Sequence, residues 1–390
     1  MYFYRININS MNFSFVKLLL VSFLLSVMVC SGVTQLKSEL NSVVHSNNFN
    51  IIFMVGDGMG LSQLSSAYFY GDIEPNFSRF PIVGLSKTSS GSHKITDSAA
   101  GATAFSTGQK TYNGAIGVDM DSNAVETITE TLAINQWNIG FVSTSSITHA
   151  TPASFYSHVS SRSMQEDIAK DLVYSDVDYF AGGGYSWFTN RSDSVDYFDT
   201  LIHSGFFIDT NSLSTLPDNN QSKLGYLLAA DGLKPKHLGR DEFLTDATNR
   251  GIKFLDAKEE PFFLLIEGSQ IDWGGHANNS EYVIQEVLDF DQAVGAALDY
   301  AVKQGNTLVV VTAYHETGGF TLAGEQSIGP NKAIKRDYNV LSPSFSTGGH
   351  SFAMVPVLAL GPFAEKFSGI YENTYLHSII QEITLRDSNN

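Results

Sequence analysis

The chain has 390 residues, of which 43% are hydrophobic and 16% are charged, and its net charge is −17. A chain this apolar can bury a sizeable core, which argues against general disorder, and its acidity argues against nucleic acid as the main partner, because phosphate backbones require a basic face. The length suits one large α/β domain with insertions, or two ordinary domains.

Residues 1–36 are predicted to form a secretory signal peptide. Arg5 and Lys17 precede an apolar run at 18–29, and the small residues 31–32 follow it. This is the layout of an export signal. We therefore expect a periplasmic or secreted protein.

The only cysteine, Cys30, lies at the end of the apolar run. Its position predicts a mature chain without a disulfide. Lipid attachment at Cys30 is an alternative, although Val29 before it is larger than such sites usually allow. Met11 is an alternative start that gives a more ordinary signal length.

After a polar leader at 37–48, strand patterns alternate with helix patterns. The predicted strands are continuous apolar runs at 50–55, 139–142, 261–266, 307–311 and 355–360. Continuous hydrophobicity is typical of parallel strands covered on both faces. The predicted helices include 123–136, 241–255 and 281–302. This alternation predicts one doubly wound, mostly parallel α/β domain over 37–390 with helices on both faces. The more polar segments near 185–240 and 320–347 are predicted to be insertions over the sheet.

Polar residues able to bind metals follow three of these strands. They are Asp57, Glu267 with Asp272, and His315 with Glu316. His350 lies shortly before the last predicted strand. In open α/β sheets, ligands bind beyond the carboxyl ends of the strands. The sequence therefore predicts a polar site at this edge of the sheet.

Ser98 is a candidate nucleophile. Thr96 or Asp97 is a good N-cap for the Ala-rich segment that follows, so Ser98 falls in the first turn of a predicted helix. Free N–H groups and the helix dipole favour an anion there, either an alkoxide or a phosphate. A plain capped helix is the alternative. The Ser98 hydroxyl could be activated either by His93 acting as a base or by a metal ion.

Asp272 and His276 are four residues apart in a predicted loop, with Gly274 and Gly275 between them. Carboxylate oxygen and imidazole nitrogen together suit Zn²⁺, whereas Glu267 with hydroxyl groups suits Mg²⁺. The alternative is a structural cluster, which would need several buried partners to offset the burial of these groups.

Thr151 and Arg162 complete the candidate set. Thr151 offers a hydroxyl ligand for Mg²⁺, and the guanidinium of Arg162 can bind two oxygens of one phosphate group. Taken alone, a helix cap and a surface arginine explain these residues equally well.

Together, the segments from Asp57 to His350 resemble alkaline phosphatase in both order and spacing. The resemblance implies a large α/β fold, often a homodimer, with two Zn²⁺ and one Mg²⁺ per subunit and phosphate monoesters as substrates. It also implies Ser98 as the nucleophile and Arg162 as the phosphate clamp.

The same resemblance implies three sets of metal ligands. The first zinc site matches Asp272, His276 and His350; the second matches Asp57, His315 and Ser98; the magnesium site matches Asp57, Thr151 and Glu267. His149 and Trp273 occupy two neighbouring positions that vary in the family. This pair is similar to that of the cold-active and marine bacterial members.

Tyr314 departs from the family pattern, in which an aspartate at this position ligates the second zinc. A free tyrosine has a pKa of about 10 and is a poor ligand until it is deprotonated. Our hypothesis from the sequence is that the second zinc is bound weakly and that turnover is slow.

The resemblance implies double displacement, in which Ser98 accepts the phosphoryl group and water then releases it. A phosphodiesterase or sulfatase on the same scaffold is one alternative, and Arg162 with the three-metal pattern favours monoesters over it. The other is a non-catalytic exported protein that binds phosphate or metal.

Overall fold

The computed structural model describes residues 49–215 and 222–385. Within these ranges the strands are β1 Asn50–Gly56, β2 Ile82–Lys87, β3 Asn138–Ser146, β4 Val177–Gly183, β5 Phe206–Asp209, β6 Lys223–Leu227, β7 Phe262–Gly268, β8 Thr307–Thr312, β9 Glu316–Thr317, β10 Thr321–Ile328, β11 Ile334–Ser344, β12 His350–Ser351, β13 Val355–Leu360 and β14 Gly369–Glu372. The helices are α1 Leu61–Tyr70, α2 Ser98–Thr107, α3 Ile128–Ile134, α4 Ala150–Ala153, α5 Gln165–Tyr174, α6 Ser186–Thr189, α7 Tyr197–His203, α8 Phe243–Asp256, α9 Gln270–His276, α10 Ser280–Gln304 and α11 Tyr375–Thr384.

Ten of the described strands form one sheet, in the order β14-β2-β13-β8-β1-β7-β3-β4-β6-β5. Its central strands β8, β1, β7 and β3 are parallel to one another. They are buried along almost their whole length, as their continuous apolar sequences predict. This mostly parallel sheet with helices confirms the predicted fold class.

Successive side chains of a strand point to opposite faces of the sheet. Helices cover both of these faces. On one face, the ring of Phe53 packs against Phe105 of α2, with 5.8 Å between the ring centroids. On the other face, Ile52 and Met54 share a hydrophobic core with Phe290 of α10. The long helix α10 and helix α2, which begins at Ser98, therefore lie on opposite sides of β1.

The structure differs from the sequence prediction in the outer strands. β13 runs antiparallel to both of its neighbours, β8 and β2, although its apolar run reads like a parallel strand. The segment 185–240, predicted to lie over the sheet, contributes the edge strand β5 and its neighbour β6. The segment 320–347 contains the exposed antiparallel hairpin β10–β11, outside the main sheet. The predicted helix 123–136 is shorter, because Thr127 caps it in a capping box with Glu130.

The predicted signal peptide, the leader and Cys30 lie outside the described residues. Among the residues that the structure describes, no helix is long and apolar enough to span a bilayer.

Candidate active site

The candidate site lies where three adjacent central strands end. Asp57 follows β1, Glu267 is near the end of β7, and His315 follows β8 by three residues. These strands are neighbours in the order β8-β1-β7, so their carboxyl ends bring the three side chains together. All three residues are fully buried. The strand-end pattern thus predicted the position of the site.

Ser98 is the first residue of α2, and the side chain of Asp97 caps this helix by accepting a hydrogen bond from Ala100 N at 3.0 Å. Ser98 Oγ lies 3.3 Å from His315 Nε2 and 3.5 Å from Asp57 Oδ2. His93, considered as a base, is exposed, and its ring bonds to Ser92 Oγ at 2.6 Å. The side chains beside Ser98 Oγ are therefore His315 and Asp57 rather than His93.

Arg162 is held beside Ser98 by two groups. Its Nη1 donates to Asp97 Oδ2 at 3.1 Å, and its Nη2 lies 3.1 Å from His149 Nε2. Burial, with a smaller effect of the Arg162 charge, lowers the pKa of His149 to about 3. His149 is therefore neutral at physiological pH and accepts a hydrogen bond from Arg162. The ring of Trp273 lies edge-on to His149, with 6.1 Å between centroids.

Asp272, His276 and His350 form a first cluster suited to a cation. His276 Nδ1 and His350 Nδ1 lie 2.8 and 2.9 Å from the backbone oxygens of Gly348 and Thr96. A carbonyl oxygen only accepts, so both Nδ1 atoms carry hydrogen, and Nε2 is the ring atom left in each histidine to bind a metal ion. The two Nε2 atoms are 3.2 Å apart and lie 3.3 and 3.4 Å from the Asp272 carboxylate. This donor set fits Zn²⁺.

Asp57, Asp272 and His315 form a second cluster, which is fully buried. Asp57 Oδ1 has no hydrogen-bond partner among the described residues. Burial, with the negative charges of Asp272 and Glu267, raises the pKa of the Asp57 carboxyl well above its ordinary value. A buried carboxylate oxygen without a partner, beside an imidazole, fits a bound cation. The sequence assigned Asp272 to the first site alone, whereas its carboxylate is shared by both clusters.

The third predicted set, Asp57, Thr151 and Glu267, surrounds the hydroxyl of Tyr314. That hydroxyl lies 2.7 Å from Thr151 Oγ1 and 3.4 Å from Glu267 Oε1. Burial, together with the nearby carboxylates, raises the pKa of the Tyr314 phenol well above its ordinary value. A protonated hydroxyl therefore stands among the predicted ligands, and this arrangement does not fit a Mg²⁺ ion.

Asp272 and His276 lie on helix α9 rather than in the predicted loop. Their spacing of four residues puts both side chains on one face of the helix. Gly274 and Gly275, which suggested a loop, allow other chain segments to approach the helix. A Cβ atom at Gly275 would lie 2.9 Å from Thr317 Cβ.

Sequence reasoning missed several residues that orient the ligands. Thr317 Oγ1 bonds to Asp272 Oδ1 and lies 3.2 Å from His315 Nδ1. Ser143 and Ser269 donate to Glu267 Oε2 at 2.6 and 2.7 Å. The run of hydroxyl residues at 143–146, at the end of an otherwise apolar strand, was the available signal.

Comparison with known proteins identifies the family. A family model described as alkaline phosphatase matches residues 48–342. Alkaline phosphatase 3 of Bacillus subtilis is 33% identical, over 83% of this chain and 86% of that protein. The alkaline phosphatase of the Antarctic bacterium TAB5 is 50% identical with a TM-score of 0.84, over 87% of this chain and 98% of that one. A cold-active alkaline phosphatase from Shewanella sp. is 29% identical with a TM-score of 0.77, over 86% of this chain and 100% of that one. The chain belongs to the alkaline phosphatase family.

Proposed function

We propose that this protein hydrolyses phosphate monoesters through a phosphoserine formed at Ser98. Membership of the alkaline phosphatase family makes it a phosphatase and supports monoesters as its substrates. The observation that carries the finer proposal is the position of Ser98. It stands at a helix N-terminus, 3.3 Å from His315 Nε2, and Asp97 beside it in the chain binds Arg162.

In the first step, Ser98 Oγ attacks phosphorus, the P–O bond to the alcohol breaks, and the alcohol leaves with a proton. In the second step, water attacks the phosphoserine, inorganic phosphate leaves, and the Ser98 hydroxyl is restored. The N–H groups of the first turn of α2 and the guanidinium of Arg162 stabilise the phosphoryl oxygens in both steps.

We propose Zn²⁺ at the first cluster, held by Asp272, His276 and His350. A second Zn²⁺ would be held by Asp57, His315 and Ser98. When bound, such ions supply Lewis acidity that stabilises negative charge on the attacking and leaving oxygens. A variant of the TAB5 enzyme is described with magnesium in its M3 site. The matching Mg²⁺ predicted for Asp57, Thr151 and Glu267 conflicts with the position of the Tyr314 hydroxyl.

Monoesters are favoured over diesters and sulfate esters, because the fork of Arg162 suits two free oxygens of a terminal phosphate. A panel of aryl phosphate mono- and diesters and an aryl sulfate tests this preference. The non-catalytic alternative is not favoured, since the family is enzymatic and both the nucleophile and the clamp are present.

We also propose that the mature chain is exported and acts as a homodimer. The first proposal rests on the N-terminal sequence pattern, and the second on what the resemblance implies. Cell fractionation and light scattering of the purified protein test them.

The test of Ser98 is its replacement by alanine. With Zn²⁺ and Mg²⁺ added, Ser98→Ala should lower the kcat for an aryl phosphate by about 10³-fold or more, because the covalent route is lost. Ser106→Ala is the matched control, since Ser106 is on the same helix and bonds instead to Ser154 O. Equal loss in both variants, or in neither, would overturn the role of Ser98.

A further inference from the structure

Tyr314 brings its hydroxyl into the middle of the third predicted metal site. The residue follows β8 by two positions, and its side chain is fully buried. The hydroxyl lies 2.7 Å from Thr151 Oγ1 and 3.4 Å from Glu267 Oε1, and burial together with the nearby charge of Asp57 raises the pKa of the phenol. The phenol oxygen thus lies among the three residues that would bind the third ion.

Hydrogen bonds already satisfy the Glu267 and Thr151 side of this third site. Glu267 Oε2 accepts from the hydroxyls of Ser143 and Ser269, and Glu267 Oε1 lies beside the Tyr314 hydroxyl, which also bonds to Thr151 Oγ1. By comparison Asp57 Oδ1, on the residue that the second cluster shares with the third set, has no partner among the described residues. The orphaned oxygen therefore calls for a cation at the second cluster, whereas Glu267 and Thr151 have their partners without one.

The ring of Tyr314 is fixed in this position by helix α2. A Cβ atom at Gly101 would lie 2.5 Å from Tyr314 Cβ and 2.9 Å from its Cγ, so the absence of a side chain at Gly101 admits the ring. Phe105, one turn further along, packs against the same ring with 6.1 Å between centroids. Rotating the ring away would disturb a close-packed interior, which is costly.

We propose that the Tyr314 hydroxyl takes the place of the third metal ion, so that this chain binds two metal ions rather than three. In this view Tyr314 is a positioning residue. Its hydroxyl connects Thr151, Glu267 and Asp57, as a cation would, without adding positive charge. The inference rests on the proposed function for the identity of the first two metal sites.

The metal content of the purified full chain tests this proposal without relying on activity. After loading with Zn²⁺ and Mg²⁺ and removal of free ions, elemental analysis should find two ions per wild-type chain. Tyr314→Asp and Tyr314→Asn should each bind one further ion, because both remove the phenol and vacate the space among Asp57, Thr151 and Glu267. Tyr179→Phe is the control, since it removes another buried hydroxyl, one bonded to Ala247 O, and should leave two ions.

Titration of Mg²⁺ into the zinc-loaded wild type gives a second readout, made on the wild-type chain itself. We expect no saturable heat and no rise in Tm. One-to-one binding of Mg²⁺ to the wild type that Glu267→Gln abolishes would overturn the inference. A third ion that appears in Tyr314→Asp but not in Tyr314→Asn would also overturn it, because the new carboxylate would then be the cause. Absence of zinc from both clusters would instead contradict the proposed function.

Discussion

Asp97 connects Ser98, the proposed nucleophile, to Arg162, the proposed phosphate clamp. Its Oδ1 caps α2, at whose first position Ser98 lies, by accepting from Ala100 N at 3.0 Å. Its Oδ2 accepts from Arg162 Nη1 and from Gly114 N, both at 3.1 Å. One carboxylate therefore orients both the helix N-terminus and the guanidinium that face the substrate.

Asp97→Asn is predicted to weaken phosphate binding while leaving the helix intact. Asparagine is as good an N-cap as aspartate. Its amide NH₂, however, would face the two donors Arg162 Nη1 and Gly114 N, and the neutral side chain would not attract the charge of Arg162. The ion pair is partly exposed, so a rise of about three- to tenfold in the inhibition constant of inorganic phosphate is expected.

Asp193→Asn is the matched control, because Asp193 pairs with Arg191 at 2.7 Å away from the site. It should leave phosphate inhibition unchanged. Unaltered phosphate inhibition in a folded Asp97→Asn protein would show that Asp97 does not orient the clamp.

Each of these residues could be identified from the sequence, but their contacts could not. Asp97 was identified as a possible cap and Arg162 as a possible clamp, yet they are 65 residues apart and pair only in the folded chain. Tyr314 stood out by comparison with the family pattern. The location of its hydroxyl depends on Gly101 and Phe105 of another element, which no local pattern encodes.

At the scale of elements, the short strands β9 and β12 hold two predicted metal ligands in place. They pair antiparallel, with His350 opposite Thr317 and Ser351 opposite Glu316. The buried carboxylate of Glu316 accepts from Gln63 Nε2 at 2.7 Å, from Phe320 N at 2.9 Å and from Ser351 Oγ. Glu316 thus orients the segments that carry His315 and His350 and is not itself a ligand.

Glu316→Gln should weaken zinc binding and lower the free energy of unfolding by about 1–3 kcal/mol. Glutamine keeps the shape of the Glu316 side chain, but its NH₂ group would face groups that donate to the carboxylate in the wild type. At least one buried hydrogen bond to residue 316 is therefore lost. Zinc competition with a chromogenic chelator and urea unfolding measure the two effects.

Glu260→Gln, at an exposed position, is the control and should change neither quantity. Wild-type zinc affinity in Glu316→Gln would contradict an orienting role for Glu316.

A second link between elements is the pair His158–Glu130, which ties α3 to the segment that follows α4. His158 Nε2 lies 2.9 Å from Glu130 Oε1, and its Nδ1 lies 2.7 Å from Gly117 O. The hydrogen bond to Glu130 raises the pKa of His158, with smaller help from the charge of Asp171 and against the effect of burial. Burial opposes ionisation of Glu130, but its hydrogen bonds to His158 and Thr127 outweigh this and lower its pKa.

This pair predicts a loss of stability as the pH rises. The folded-state pKa of His158 lies above its ordinary value of 6.5. Its contribution is therefore complete below pH 6.5 and disappears as the pH passes the raised pKa. The Glu130 contribution behaves oppositely and is lost in acid. Urea unfolding between pH 6 and 8 should show a smaller decline in His158→Gln than in wild type. Parallel pH profiles for the two proteins would contradict this account.

At the scale of the whole molecule, the central strands were the most predictable part. Strands β1, β3, β7 and β8 are buried on both faces, so their sequences are continuously apolar. The outer strand β2 alternates between partly exposed and buried residues and lacks that signal. The direction of β13 was not predictable, because continuous hydrophobicity reports burial and not orientation. The polar residues that follow these strands predicted the edge at which the candidate site lies, because ligands bind beyond the carboxyl ends of parallel strands.

Metal removal should destabilise the whole molecule. Asp57 and Glu267 are buried at the ends of the adjacent strands β1 and β7, and Asp272 is buried on helix α9. Burial and the negative charges of Asp272 and Glu267 raise the pKa of Asp57, and bound cations would relieve this repulsion. A metal ion whose free concentration is 100 times its Kd stabilises the folded chain by about 2.7 kcal/mol. Excess chelator should therefore lower Tm by several degrees, and added Zn²⁺ should restore it. A Tm that does not respond to chelation would contradict metal binding at these clusters.

Ser98 is proposed to carry the phosphoryl group during turnover. The most direct measurement is to mix the zinc-loaded protein with excess aryl phosphate, quench in acid and analyse the peptides by mass spectrometry. We predict one phosphoryl group on Ser98 in the wild type and none in the corresponding peptide of Ser98→Ala. An active protein whose Ser98 peptide stays unmodified, and whose Ser98→Ala variant keeps its turnover, would contradict the account.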